Sequence, residues 1–160
     1  MNPNDAMAEE LMRPSRIEQA IREYLATKPE ITVFLRKDFA SALPEYSRTG
    51  IDKALQRMVE RGEFLRIGYG LLARAVQRES VLKKGETVTM LTKSFYATAR
   101  EALERLGVKW ELDSARKAYN NFETTQVPAW TAYDVGNSRI TRKIGLNNAK
   151  LIYERNQRRR

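Results

Sequence analysis

The feature that most constrains this chain is a change of hydrophobic period at Gly62. Before that glycine, apolar residues recur at helical spacing; after it, they fall in short blocks around a Gly-Tyr-Gly turn. The first helical stretch starts at Ser15, which precedes Glu18 by three positions in a capping box, with Pro14 just ahead. Ile17, Ala20, Ile21, Tyr24 and Leu25 form its apolar stripe, and Pro29 follows its end. Ile31 to Phe34 is a short β-like run. Arg36 to Leu43 has the length of a short helix, with Phe39 and Leu43 facing inward and Pro44 ending it. Ser47 is a good N-cap for a stronger helix through Arg61. On that helix Ile51, Leu55, Met58 and Val59 are spaced for a core, and Arg48, Thr49, Asp52, Lys53, Gln56 and Arg57 lie on the other side. Gly62 closes it, and Phe64–Ile67 and Leu71–Arg74 form two strands around Gly68-Tyr69-Gly70.

Helix, short strand, short helix, turn, helix, hairpin is the order of a winged helix-turn-helix. In that arrangement the second helix of the pair lies in the DNA major groove, whose width admits an α-helix, and the hairpin follows the phosphate backbone. The expected DNA-contacting residues are Arg36, Lys37, Arg48, Thr49, Lys53, Gln56 and Arg57 on the helices, with Arg66, Tyr69 and Arg74 on the hairpin.

The second half reads differently. Ala75 to Thr87 is polar, and a long helix is expected over about 88–106, on the spacing of Val88, Leu91, Phe95, Ala99, Ala102 and Leu106, with Gly107 as its stop. Val108–Trp110 reads as a short strand, and Asp113-Ser114 caps a short helix to about Asn121. Residues 126–134 read as extended, Arg139–Ile144 and Ala149–Arg155 as the arms of a hairpin. The expected fold class is α+β: an N-terminal winged helix-turn-helix plus a small C-terminal domain of helix and antiparallel sheet. The expected divisions are a flexible N-terminus (1–13), the winged helix (14–78), a linker (79–85), the C-terminal domain (86–155) and a basic tail (156–160).

Charge separates the halves further. The net charge is +9, from 29 Lys+Arg against 20 Asp+Glu. Residues 1–80 are nearly neutral, whereas 139–160 hold eight basic residues and one acid, Glu154. Such an excess favours a polyanionic partner. Arg139, Lys143, Lys150, Arg158, Arg159 and Arg160 make up the expected C-terminal basic surface, and strand alternation marks Arg142 as a partly buried structural arginine.

With neither His nor Cys in the chain, thiol nucleophiles, imidazole-dependent triads and zinc fingers are excluded. Glu101 and Glu104 read as exposed helix surface, and Trp110, Trp130, Tyr119 and Tyr133 as packing residues. No catalytic constellation, cofactor site or metal site is expected. No apolar run approaches the roughly 20 residues that span a bilayer, and the N-terminus lacks a signal-peptide pattern, so a cytoplasmic protein is expected.

The segments Val33-Phe34-Leu35-Arg36-Lys37-Asp38-Phe39, Ile51 through Val59, and Gly62 followed by Leu65-Arg66-Ile67-Gly68-Tyr69-Gly70-Leu71 resemble the N-terminal winged helix of the AbiEi-type antitoxin family. Thr124-Thr125-Gln126-Val127-Pro128-Ala129, the Ser138-Arg139 turn and Lys143-Ile144-Gly145 resemble that family's C-terminal motif, so the likeness covers roughly 15–155. It implies an autorepressor of a two-gene toxin–antitoxin operon, found on plasmids and islands, whose C-terminal domain acts against a nucleotidyltransferase-like toxin, usually without a stable complex. The expected function is sequence-specific binding of double-stranded DNA as a transcriptional regulator, with a homodimer on DNA. The rival expectation is a mobile-element module in which the basic C-terminal domain contacts protein or RNA.

Overall fold

The structure, a computed structural model, describes residues 15–156. Its elements are α1 (Arg16–Ala26), β1 (Val33–Leu35), α2 (Arg36–Ala42), α3 (Arg48–Glu60), β2 (Phe64–Gly68), β3 (Leu71–Glu79), β4 (Thr87–Leu91), α4 (Phe95–Arg105), β5 (Glu111–Leu112), α5 (Ser114–Asn120), β6 (Thr131–Asp134), β7 (Gly145–Leu146) and β8 (Ala149–Glu154). The class is α+β. The expected N-terminus (1–13) and the tail from 157 on, with Arg158, Arg159 and Arg160, lie outside the described residues.

The first three helices form where the sequence puts them, for local reasons. Ser15 accepts from the Glu18 amide at 3.1 Å while the Glu18 carboxylate accepts from the Ser15 amide at 3.0 Å, closing the capping box. The Ser47 hydroxyl accepts from the Gly50 amide at 3.0 Å and starts α3. Antiparallel β1, β3 and β2 lie in that spatial order, with Phe34 opposite Leu72 and Leu65 opposite Ala73. Side chains alternate across a strand, and here both faces are buried. Phe34 and Leu72 point toward α1–α3, where they meet Ile21, Phe39, Ile51, Met58 and Phe64. Val33, Leu35, Ile67, Leu71 and Ala73 point the other way, into a second core completed by Ala99, Leu103, Tyr133, Val135, Ile144 and Leu151.

That second core changes the expected division of the chain. Strand β3 runs on to Glu79 and pairs with β4 from Ala75–Leu91 to Glu79–Thr87. The segment expected as a linker, 79–85, is therefore the end and turn of a hairpin, closed by the Ser80 amide donating to the Glu86 carbonyl at 2.8 Å. The two halves share one sheet and one core. The long helix expected from 88 is shorter than its apolar spacing implied. Thr87–Leu91 is a strand, and the helix restarts at Ser94, whose hydroxyl accepts from the Ala97 amide at 3.1 Å. Five residues are too few to separate the two periods, and Val88 and Met90 alternate outward as a strand requires.

The second sheet has the order β5–β6–β8–β7 and is mixed, not antiparallel: β6 and β8 run parallel, with Tyr133 opposite Tyr153. Parallel strands need a crossover of some length. Residues 135–144 supply it, which is why Arg139–Ile144 is not the hairpin arm its alternation implied. The antiparallel partner of β8 is instead the short β7, Gly145–Leu146. Similarly, the strand expected at 108–110 forms one residue beyond it, at Glu111–Leu112.

Candidate nucleic-acid interface

Helix α3 is fixed by its buried face. Ile51, Ala54, Leu55 and Met58 are all at most 5% exposed, which turns Thr49, Lys53 and Gln56 outward together with Arg48 at the N-terminal end. Gly50 allows the close approach to α1, since a Cβ there would lie 2.9 Å from Ile17 Cδ1. Lys53 and Arg48 form no ion pair among the described residues. Lys37 on α2 is likewise exposed and without one. Arg36 is exposed but engaged: its guanidinium forks onto Asp52, with Nε donating to Oδ1 at 2.6 Å.

The β2–β3 hairpin meets this surface from one side. Tyr69, at its turn, is 81% exposed, and Arg66 is exposed and without an ion pair among the described residues. Gly70 has φ of 66°, the left-handed region that favours glycine at such a turn. A cleft of about 260 Å³ separates the hairpin from α3, with Gln56, Asp52, Arg66 and Tyr69 on its walls. A smaller cleft of about 210 Å³ lies nearby, where Arg36, Lys37, Tyr69 and Gly70 meet Leu106 and Arg142.

Two of the expected contact residues have partners within the protein. Arg74 donates from Nε to the Ile31 carbonyl at 2.7 Å, and from Nη2 to the carbonyls of Leu25 at 2.8 Å and Lys28 at 2.6 Å. Its guanidinium lies 5.2 Å from the centre of the Phe34 ring, and burial pushes its pKa down. It ties the end of α1 to β3. Arg57 swings back to α1, with Nε 3.4 Å from the Glu18 carboxylate and Nη2 3.2 Å from the Ser15 hydroxyl. Arg61 pairs with the same carboxylate. Burial alone raises the Glu18 pKa, but the Ser15 amide and the Arg61 and Ser15 side chains outweigh it and hold the carboxyl at about 2. Arg57 is therefore a brace between α1 and α3.

In the second half, Arg139, Lys143 and Lys150 are exposed and form no ion pair among the described residues. Arg142 is exposed, not partly buried as its alternation implied, yet it is anchored: Nη1 donates to the Tyr69 carbonyl at 2.7 Å. Glu101, expected at the surface, is 13% exposed at its side chain and accepts from the Thr32 amide at 2.8 Å, the Thr32 hydroxyl at 2.7 Å and the Val33 amide, and pairs with Lys93. Burial works against its charge, but these donors hold its carboxyl below the usual range. Glu104 is exposed, as expected. Tyr133 is fully buried and donates to the Tyr96 carbonyl at 2.8 Å, whereas Trp130 and Tyr119 are 49% and 41% exposed.

No group of three or more Asp or Glu residues placed to hold a metal ion occurs among the described residues, and no helix there is long and apolar enough to cross a membrane. Compared with family models, with curated proteins and with solved structures, the chain matches none of them.

Proposed function

We propose that this protein binds double-stranded DNA through a winged helix-turn-helix made of α1–α3 and the β2–β3 hairpin, and that it is a transcriptional repressor of its own operon. The observation that carries the reading is the exposed face of α3. Arg48, Thr49, Lys53 and Gln56 are long or polar, point away from the core and form no ion pair among the described residues. They have the hydrogen-bonding chemistry that reads base edges and phosphates. The β1–β3–β2 order and the exposed Arg66 and Tyr69 beside that face support the same reading, because a wing must flank the recognition helix.

The resemblance to AbiEi-type antitoxins makes an antitoxin operon the specific form of the proposal, with a functional link to a nucleotidyltransferase-like toxin and a cytoplasmic location. A dimer on repeated half-sites is the expected assembly.

The test is a competition between labelled duplex from immediately upstream of the protein's own coding sequence and three unlabelled competitors: the same duplex, an unrelated duplex and an unrelated structured RNA. The proposal expects the upstream duplex to compete at least about a hundredfold better than the unrelated one, toward the range of specific over non-specific binding. Equal competition by all three, or preference for the RNA, refutes it.

A further inference from the structure

The C-terminal half meets the proposed DNA surface at the turn of the β2–β3 hairpin, and that junction is built from both sides. Arg142 in the 135–144 crossover donates to the carbonyl of Tyr69 at the turn of the β2–β3 hairpin, at 2.7 Å. One residue on, the Lys143 carbonyl lies so near Gly68 that a Cβ there would sit 2.7 Å from it. Beneath these contacts Ile144 packs in the same core as Ile67 and Leu71. The Arg142 carbonyl is itself held, accepting from the Tyr153 hydroxyl at 2.5 Å. The crossover is thus fastened to β8 on one side and to the hairpin turn on the other.

Charge follows the same path. Arg142 shares the smaller cleft with Arg36 and Lys37, and Arg36 and Tyr69 also line the larger cleft, beside Arg66. Lys143 is exposed next to that turn. The basic surplus of the second half therefore continues the cationic rim of the hairpin.

We infer that the 135–144 crossover is part of the DNA-binding surface, with Arg142 fixing the turn of the wing and Arg142 and Lys143 together binding phosphates just beyond it. The inference rests on the proposed DNA-binding function and assigns to DNA a surface that the family resemblance would give to another partner. It makes the two halves one reading unit, in which a change at β8 is felt at the wing.

The experiment measures binding of the full chain to the upstream duplex and to an unrelated duplex over a range of salt. Arg142→Ala, Arg142→Lys and Lys143→Gln are compared with Lys53→Ala on α3, and each melting temperature is recorded. Removing one phosphate-binding cation should reduce the log–log salt slope by about one. Arg142→Ala and Lys143→Gln are expected to weaken binding to both duplexes by a similar factor, about tenfold, with that smaller slope. Arg142→Lys should recover the slope because the charge is kept. Should Arg142→Ala fail to fold, Lys143→Gln decides alone, because its side chain forms no ion pair among the described residues and can be changed without breaking one. Unchanged slopes for the crossover variants, with Lys53→Ala impaired, overturn this inference and leave the DNA reading standing. Wild-type binding by Lys53→Ala removes α3 as the recognition helix, and wild-type protein that shows no preference for the upstream duplex refutes the DNA reading, and this inference with it.

Discussion

The two faces of the β1–β3–β2 sheet are held in different ways. Toward α1–α3 the core is aromatic and local. Phe34, Phe39 and Phe64 lie against one another with ring centres 5.4 Å and 6.0 Å apart, and Tyr24 meets Phe34 and Phe39 edge-on. On the opposite face the core gathers residues from β1, β2, β3, α4, β6 and β8, and polar bonds pin it at its margins: Glu101 onto the Thr32 and Val33 amides, Arg105 onto Asp38, and Tyr133 onto the Tyr96 carbonyl. The aromatic face builds the unit that presents α3. The other face fastens that unit to the second half of the chain, so the presentation of α3 and of the hairpin depends on both.

The largest effect is expected when one covering of the sheet is removed. A fragment ending at Glu79 keeps the aromatic core but bares Val33, Leu35, Ile67, Leu71 and Ala73, which the full chain buries. Burial of large apolar side chains of this kind contributes about 1.5–3 kcal/mol each, so the summed loss is comparable to the whole stability of a domain. The fragment should show no cooperative urea transition by circular dichroism, whereas the full chain should unfold in one step. Two separate transitions in the full chain would contradict the shared core.

A smaller cut isolates one fastener. Glu101→Ala strips the Thr32 and Val33 amides of their acceptor and leaves Lys93 without its partner. Leaving buried donors unsatisfied costs about 1–3 kcal/mol each, and Lys93 stays partly solvated, so a loss of about 2–4 kcal/mol is expected in urea unfolding. Glu104→Ala, which loses one exposed hydrogen bond from Trp110 Nε1 at 3.2 Å, should cost about 1 kcal/mol or less.

On the aromatic side the matching test is pH. The Glu18 carboxyl is held near 2, below its unfolded value, so the hydrogen bond from the Ser15 amide and the pairing with Arg61 contribute stability above about pH 4.5 that is lost as pH falls toward 2. The contribution is on the order of 3–4 kcal/mol, since every tenfold gain in acidity on folding corresponds to about 1.4 kcal/mol. Glu18→Gln should flatten the fall in stability between about pH 5 and pH 2 by that amount, and an equally steep fall in the variant would remove Glu18 as its cause.

These elements were not equally legible in the sequence. The Ile51, Leu55, Met58 stripe and the Ser15–Glu18 capping box could be read directly, because each depends on partners within a turn or two of helix. The exposed side of α3 followed from the stripe. Arg57 and Arg74 lay on the expected outer surface but are spent on partners such as Glu18, Ser15 and the Leu25, Lys28 and Ile31 carbonyls, 39 to 49 residues away. No local period reports such a contact. Glu101 reads as surface for the same reason, since the amides it accepts from are 68 and 69 residues distant. In the second half, the apolar spacing of Val88–Leu91 fitted helix and strand alike, and the alternation of 139–144 gave no sign that the strand before it pairs in parallel with the strand after it. The anchoring of Arg142 to the hairpin turn had no sequence signal at all.

The smallest expected effect on stability belongs to the residue on which the functional account most depends. Lys53 is exposed on α3, forms no ion pair among the described residues, and touches none of the bonds that hold either core. Fluorescence anisotropy with the upstream duplex should show Lys53→Ala binding weaker by about 1–3 kcal/mol, if the side chain meets a base edge or a phosphate, with a melting temperature within about a degree or two of wild type. Arg74→Ala should do the reverse at the level of cause, lowering the melting temperature first and binding only as the fold is lost. Wild-type affinity in Lys53→Ala, alongside impaired binding by a fully folded Arg74→Ala, would contradict the assignment of α3 as the recognition helix.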